Sequence, residues 1–141
     1  MVGLVVAAHG RLAQELVATA EQIMGKLSAV ATVSIEPGAP AENIRVQMRA
    51  AVKELDHGDG VLVLADLFGG TPCKESLLLC QKENVEVLAG VNLPMLLKAA
   101  SLRGEHIPLH DLAQSLLTYA QRNIRFASEL VRDAAARNAA S

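Results

Sequence analysis

Two short stretches of the chain carry residues able to do chemistry together. In VVAAHGR (5–11) an apolar run ends in His9, followed by Gly10 and Arg11. In ADLFGGTP (65–72) a second apolar run ends in Asp66 and passes through Phe68, Gly69 and Gly70 to Thr71 and Pro72. An imidazole near its ordinary pKa of about 6.5 offers one unprotonated ring nitrogen at neutral pH. A carboxylate that accepts the N–H of the other ring nitrogen fixes the tautomer and stabilises the cation-like ring once the free nitrogen is modified. Glycines let backbone amides approach an anion, Thr71 can cap a helix or donate a hydroxyl, and the helix N-terminus adds its positive dipole. Nucleophile, orienter and anion cradle together describe a histidine that carries a phosphoryl group, provided the fold brings the two stretches to one place.

Each feature alone is ordinary. A histidine at a strand end usually fills a loop, and Gly-Gly-Thr-Pro is a common helix entrance. Convergence at one crevice is what gives them meaning, so the order of the elements decides the matter. Residues 2–8, VGLVVAA, and 61–66, VLVLAD, are continuous apolar runs of the kind found in strands buried on both faces. VATVSI (30–35) alternates instead, which predicts a half-exposed strand at a sheet edge. VEVLAGV (85–91) is a fourth strand.

Between the strands lie segments of helical period. Residues 11–25 place Leu12, Leu16, Ala20 and Ile23 on one face; the helix from residue 41 buries Ile44, Met48, Ala51 and Leu55. Pro72 starts a third helix, Pro94 lies in the first turn of a fourth (92–102), and 107–123 form a fifth. IRFASELV (124–131) fits strand or helix, and 132–141 read as a frayed tail after a single domain of residues 1–131. The alternation βαβαβαβα demands a three-layer α/β fold: a parallel sheet with helices on both faces and right-handed crossovers. With the second strand at an edge, the sheet order is 2-1-3-4. Ligands in such sheets bind outside the carboxyl ends of the strands where the order reverses, here between strands one and three. His9 leaves one of these and Asp66 the other, so they should face each other across the crevice, with Gly10 leaving room beside the histidine.

Composition narrows the alternatives. Aromatic residues make up only 2 % of the chain, with no Trp, against 51 % hydrophobic residues. The core is therefore aliphatic, and stacking platforms for single-stranded nucleic acid are missing. A net charge of −2, from 13 Lys+Arg and 15 Asp+Glu without long runs, leaves no electrostatic footprint for nucleic acid or anionic membrane. No stretch reaches the ~20 apolar residues of a membrane span, and the N-terminus lacks the basic region of a signal peptide; two thiols that cannot pair point to a reducing compartment, so a cytoplasmic protein is expected. Cys73 and Cys80 fall two helical turns apart, about 10 Å, too far for a disulfide. His106 and His110 are four apart, but no HExxH pattern joins them and Pro108 lies between, so a metal site is not expected. GxSxG, GxxxxGK[ST] and GxGxxG are all absent.

Together VVAAHG, ADLFGGTP and AGVNLPML (89–96) resemble, in content and spacing over nearly the whole chain, the IIA components of the mannose class of the bacterial sugar phosphotransferase system. The resemblance implies that His9 is the phosphorylated residue and Asp66 the carboxylate that orients it. It further implies that Gly10, Phe68, Gly69, Gly70 and Thr71 surround the phosphoryl group; Phe68 stands where the family often has Trp. A cytoplasmic homodimer is implied, taking a phosphoryl group from the phosphocarrier HPr and passing it to a IIB domain, in association with IIC and IID membrane components and without a metal or cofactor. An antiparallel C-terminal strand exchanged between subunits is implied too, which would make 124–131 a strand. The alternative uses the same residues as a regulatory domain whose phosphorylation state is read by a partner. A phosphocarrier serving dihydroxyacetone kinase and a purely structural flavodoxin-like binding domain rank lower, the latter leaving the His9–Asp66 pairing unexplained.

Overall fold

The structure, a computed structural model, describes residues 1–67, 69, 71–81 and 83–140. Four strands, β1 (Gly3–His9), β2 (Val30–Ile35), β3 (Val61–Ala65) and β4 (Val85–Ala89), form one parallel sheet of order β2-β1-β3-β4. The helices are α1 (Leu12–Met24), α2 (Ala41–Leu55), α3 (Thr71–Cys80), α4 (Leu93–Leu102), α5 (Leu109–Arg122) and α6 (Ala127–Ala140), with a short 3-10 turn at Arg103–Glu105. The expected order is observed, and for the expected reason. Central β1 and β3 are buried along nearly their whole length, whereas β2 alternates between buried and partly exposed positions.

Successive side chains on a strand point to opposite faces, so the two central strands feed two cores. Leu4, Val6, Ala8, Leu62 and Leu64 join residues of α1, α4 and α5 on one side. Val5, Ala7, Val61 and Val63 join α2 and Leu79 of α3 on the other. Ile44, Met48, Ala51 and Leu55 are all buried, as the period of α2 requires.

Two expectations fail. In α1, Leu12 and Ile23 are 45 % and 59 % exposed, while Ala13 and Ala20 are fully buried and Leu16 and Val17 partly so. The helix is turned by about one residue because small alanines let it lie close on the sheet, and the larger side chains flank that contact. In the C-terminal segment, 124–126 are irregular and α6 begins at Ala127, so the segment left open between strand and helix is helical from there on, not the exchanged strand that the resemblance implied. Among the described residues it adds nothing to the sheet, and α6 has no buried residue. The run of Ala, Glu and Arg in 127–140 has high intrinsic helix propensity, which decides the state where no neighbouring strand offers a ladder.

Candidate functional site

His9 ends β1 and Asp66 immediately follows β3, and the register that sets Ala7 beside Ala65 carries both to the same end of the sheet. Their contact is close and doubled. One carboxylate oxygen, Oδ2 of Asp66, accepts the backbone N–H of His9 at 2.9 Å and lies 2.9 Å from its Nδ1. Oδ1 accepts the N–H of Leu67 at 2.9 Å. An ionised carboxylate only accepts, so Nδ1 holds the proton and Nε2 is the unprotonated nitrogen, on the side of the ring away from Asp66. The Asp66 side chain is 10 % exposed and that of His9 48 % exposed. Burial works to raise the Asp66 pKa, but the hydrogen bonds from the backbone and ring of His9 and from Leu67, with the attraction of the ring whenever it is protonated, outweigh it and hold the carboxyl below its ordinary value. The site is thus a fixed anion behind an exposed ring.

The third quoted motif, AGVNLPML, supports this pair from behind. The N–H groups of Gly90 and Val91 both donate to the carbonyl of Ala65 at 2.9 Å, which anchors the residue just before Asp66. Gly90 adopts φ +91, a left-handed conformation suited to glycine. Asn92 then caps α4 by accepting the N–H of Met95 at 2.9 Å. Sequence reasoning used these residues only as a signature and missed that they position the carboxylate; the glycine immediately after a strand was the available signal.

A cavity of about 390 Å³ opens beside the imidazole, lined by His9, Gly10, Thr71, Ile35, Ile44 and the turn 36–39. Thr71, the first residue of α3, therefore sits on the same cavity as His9. Glu36 lines it too, a carboxylate not foreseen at the site, although its Pro-Gly turn follows an edge strand running to this same end. Gly10 has φ +60, and a Cβ there would meet nothing within 4 Å. The left-handed backbone there favours glycine beside the open space expected next to the histidine, and Gly69, with φ +85 and equally open surroundings, is alike. Phe68 and Gly70, also named from the sequence, lie outside the described residues. Arg11 is 81 % exposed and leans on Glu15 at 3.5 Å. Among the described residues no group of three or more His, Cys, Asp or Glu is placed to hold a metal ion. No helix among them is long and apolar enough to cross a membrane.

Residues 3–117 match the family model EIIA-man, described as the PTS system fructose IIA component. The chain is 35 % identical over 112 residues to the PTS system mannose-specific EIIAB component of Escherichia coli K12, a match covering 79 % of this chain but only 35 % of that protein. Against the PTS system fructose-specific EIIA component of Bacillus subtilis it is 30 % identical over 130 residues, covering 92 % and 88 % of the two chains. The crystal structure of the phosphotransferase component EIIA from Streptococcus agalactiae superposes with a TM-score of 0.83 at 28 % identity, over 92 % of this chain and 99 % of that one. The mannose/sorbose specific IIA subunit from Enterococcus faecalis does so with a TM-score of 0.79 at 32 % identity, over 88 % and 92 %. With a four-stranded parallel sheet of order 2-1-3-4 and these matches over most of its length, the chain belongs to the mannose-class IIA components of the phosphotransferase system.

Proposed function

We propose that the chain is a phosphohistidine carrier that accepts a phosphoryl group from HPr on Nε2 of His9 and passes it to a IIB domain. The observation that carries this reading is the 2.9 Å contact between Nδ1 of His9 and Oδ2 of Asp66, which leaves Nε2 on the open side of an exposed ring. In the first step the Nε2 lone pair attacks phosphorus. The P–N bond to the donor histidine breaks as the new one forms, and its electron pair returns to the donor ring. The Nδ1 proton stays between His9 and Asp66, so the phosphorylated ring is cation-like and the carboxylate is its counter-ion. Transfer to the IIB acceptor is the same step with the chain as donor.

Positioning and charge stabilisation account for phosphoryl transfer of this kind. Thr71 and the N-terminus of α3 border the cavity beside His9, where the phosphoryl oxygens would lie; Gly69 and, from the sequence, Phe68 and Gly70 belong to the same loop. Leu12 and Leu67, 45 % and 57 % exposed, follow the two site residues closely in sequence and offer apolar surface to a docking protein. Exposed Ile124, Phe126, Leu130 and Val131 in the C-terminal segment support a homodimer.

The test is the intact mass of the chain after incubation with phosphoenolpyruvate, enzyme I and HPr, beside His9→Ala. An acid-labile gain of one phosphoryl group, lost in His9→Ala, is the expected result. No gain with demonstrably active donor proteins overturns the carrier reading.

A further inference from the structure

Among the described residues lining the cavity beside His9, the only ionisable side chain besides the imidazole is that of Glu36. Its place is fixed by the backbone. The register sets Ile35 beside His9, and the N–H of Gly10 donates to the Ile35 carbonyl at 3.0 Å, so Glu36 stands one residue beyond that bond. Pro37 and Gly38, the latter with φ +78, then turn the chain so that the N–H of Ala39 donates to the Glu36 carbonyl at 3.1 Å. Since the strand order is β2-β1-β3, Glu36 and Asp66 flank His9 from opposite sides. Asp66 engages Nδ1, leaving Nε2 on the side of the ring away from that carboxylate.

No cation among the described residues balances the charge of Glu36. Its side chain is exposed and makes no hydrogen bond or ion pair among them. The basic residues of neighbouring elements do not line the cavity. Arg11 leans on Glu15, Arg45 donates to Glu75 at 2.9 Å, and Lys74 is exposed on α3. A phosphoryl group carries more than one negative charge at neutral pH. On Nε2 it would enter a cavity whose donors, the Thr71 hydroxyl and the start of α3, are neutral and whose one fixed charge has its own sign.

We propose that Glu36 keeps the phosphoryl-transfer potential of His9 high, its carboxylate repelling the phosphoryl oxygens across the cavity. This inference rests on the carrier reading and adds a residue to it. The transfer step is unchanged: one P–N bond forms as the other breaks, and neither a proton nor water is consumed. Glu36 touches none of the reacting atoms and acts only on the free energy of the phosphorylated form. Asp66 and Glu36 therefore work in opposite directions. The first stabilises the cation-like ring, and the second raises the energy of the anion attached to it, so that the group is carried without being held too firmly to pass on.

The experiment measures the equilibrium of phosphoryl exchange between the chain and HPr. Native chain, Glu36→Gln, Glu36→Asp and Glu36→Lys are each brought to equilibrium with HPr from both directions, and the phosphorylated fraction of each protein is read by intact mass. The equilibrium constant contains only free proteins, so contacts between docked partners do not enter it and the contribution of HPr is the same for every variant. At about 20 mM ionic strength Glu36→Gln should shift it toward the phosphorylated chain about two- to tenfold, the size of a like-charge repulsion across a solvated cavity. Glu36→Lys should shift it further, and Glu36→Asp, which keeps the charge, less than Glu36→Gln. At about 0.5 M salt the effect of Glu36→Gln should shrink. If the native chain is phosphorylated, this inference alone is overturned by a low-salt shift below twofold or of opposite sign, by an effect that salt leaves unchanged, or by Glu36→Asp matching Glu36→Gln. No phosphorylation of the native chain by active HPr overturns both this inference and the carrier reading.

Discussion

Replacing Asp66 with Asn probes the site most sharply, because it keeps the size of the side chain and removes its charge. In the native arrangement Oδ2 accepts two N–H groups of His9 and Oδ1 accepts that of Leu67. An amide has one acceptor oxygen. Turned toward His9 it preserves the Nδ1–H tautomer but sets its NH2 against the Leu67 N–H; turned the other way it donates to Nδ1 and leaves Nε2 protonated and blocked. The first orientation satisfies two donors rather than one and should prevail. What is then lost is the charge on the hydrogen bond to a ring that becomes cation-like as the P–N bond forms. Hydrogen bonds to charged groups contribute about 1.5–3 kcal/mol against about 0.5–1.5 kcal/mol for neutral ones, a loss of about 1–1.5 kcal/mol; about 1.4 kcal/mol is tenfold in rate, so transfer should slow by about 5- to 12-fold. Quench-flow transfer from phosphorylated HPr, under single-turnover conditions, measures this directly. A rate within threefold of the native chain at an unchanged melting temperature would refute the role given to the carboxylate. A loss far beyond the range would instead point to the blocked tautomer.

Two further perturbations test the same geometry through stability. The Asp66 carboxyl has its pKa lowered in the folded chain, so its contribution is fully present above the ordinary carboxylate value of about 3.9 and is lost as pH falls through the lower folded value. Asp66→Asn should therefore flatten the fall in melting temperature below about pH 4, and equal slopes would show that the carboxylate gains nothing on folding. Gly10→Ala places a Cβ in open space but at φ +60, so strain alone should cost about 1–2 kcal/mol. Gly10→Asn should cost less than Gly10→Ala, because Asn tolerates left-handed backbone; equal melting temperatures for the two would contradict the conformational role of Gly10.

The elements that set the site were legible because strand and helix period, Pro-Gly turns and apolar runs are properties of short segments. The alternation of Thr32 and Ser34 with Val33 and Ile35 was enough to put β2 at an edge, and the edge was enough to place His9 beside Asp66. Propensity and periodicity stop where packing begins. Which face of α1 turns inward depended on how closely it could lie on the sheet, and alanines rather than Leu12 and Ile23 decided that. The state of 124–131, open between strand and helix from its own residues, follows the helix preference of 127–140 where no neighbouring strand among the described residues pairs with it.

The sequence by itself determined the layer architecture, the strand order and the meeting of His9, Asp66 and Thr71 at one end of the sheet, since each follows from local backbone geometry and the handedness of the crossovers. Only the tertiary structure decided the contacts between segments distant in the chain: Gly90 and Val91 bound to the Ala65 carbonyl, Glu36 on the cavity wall, and Arg103 buried against Val2, Ser28 and Ala29. Hydrogen-bond partners of a buried donor are set by which backbone groups other elements leave unpaired nearby, and no local pattern encodes that.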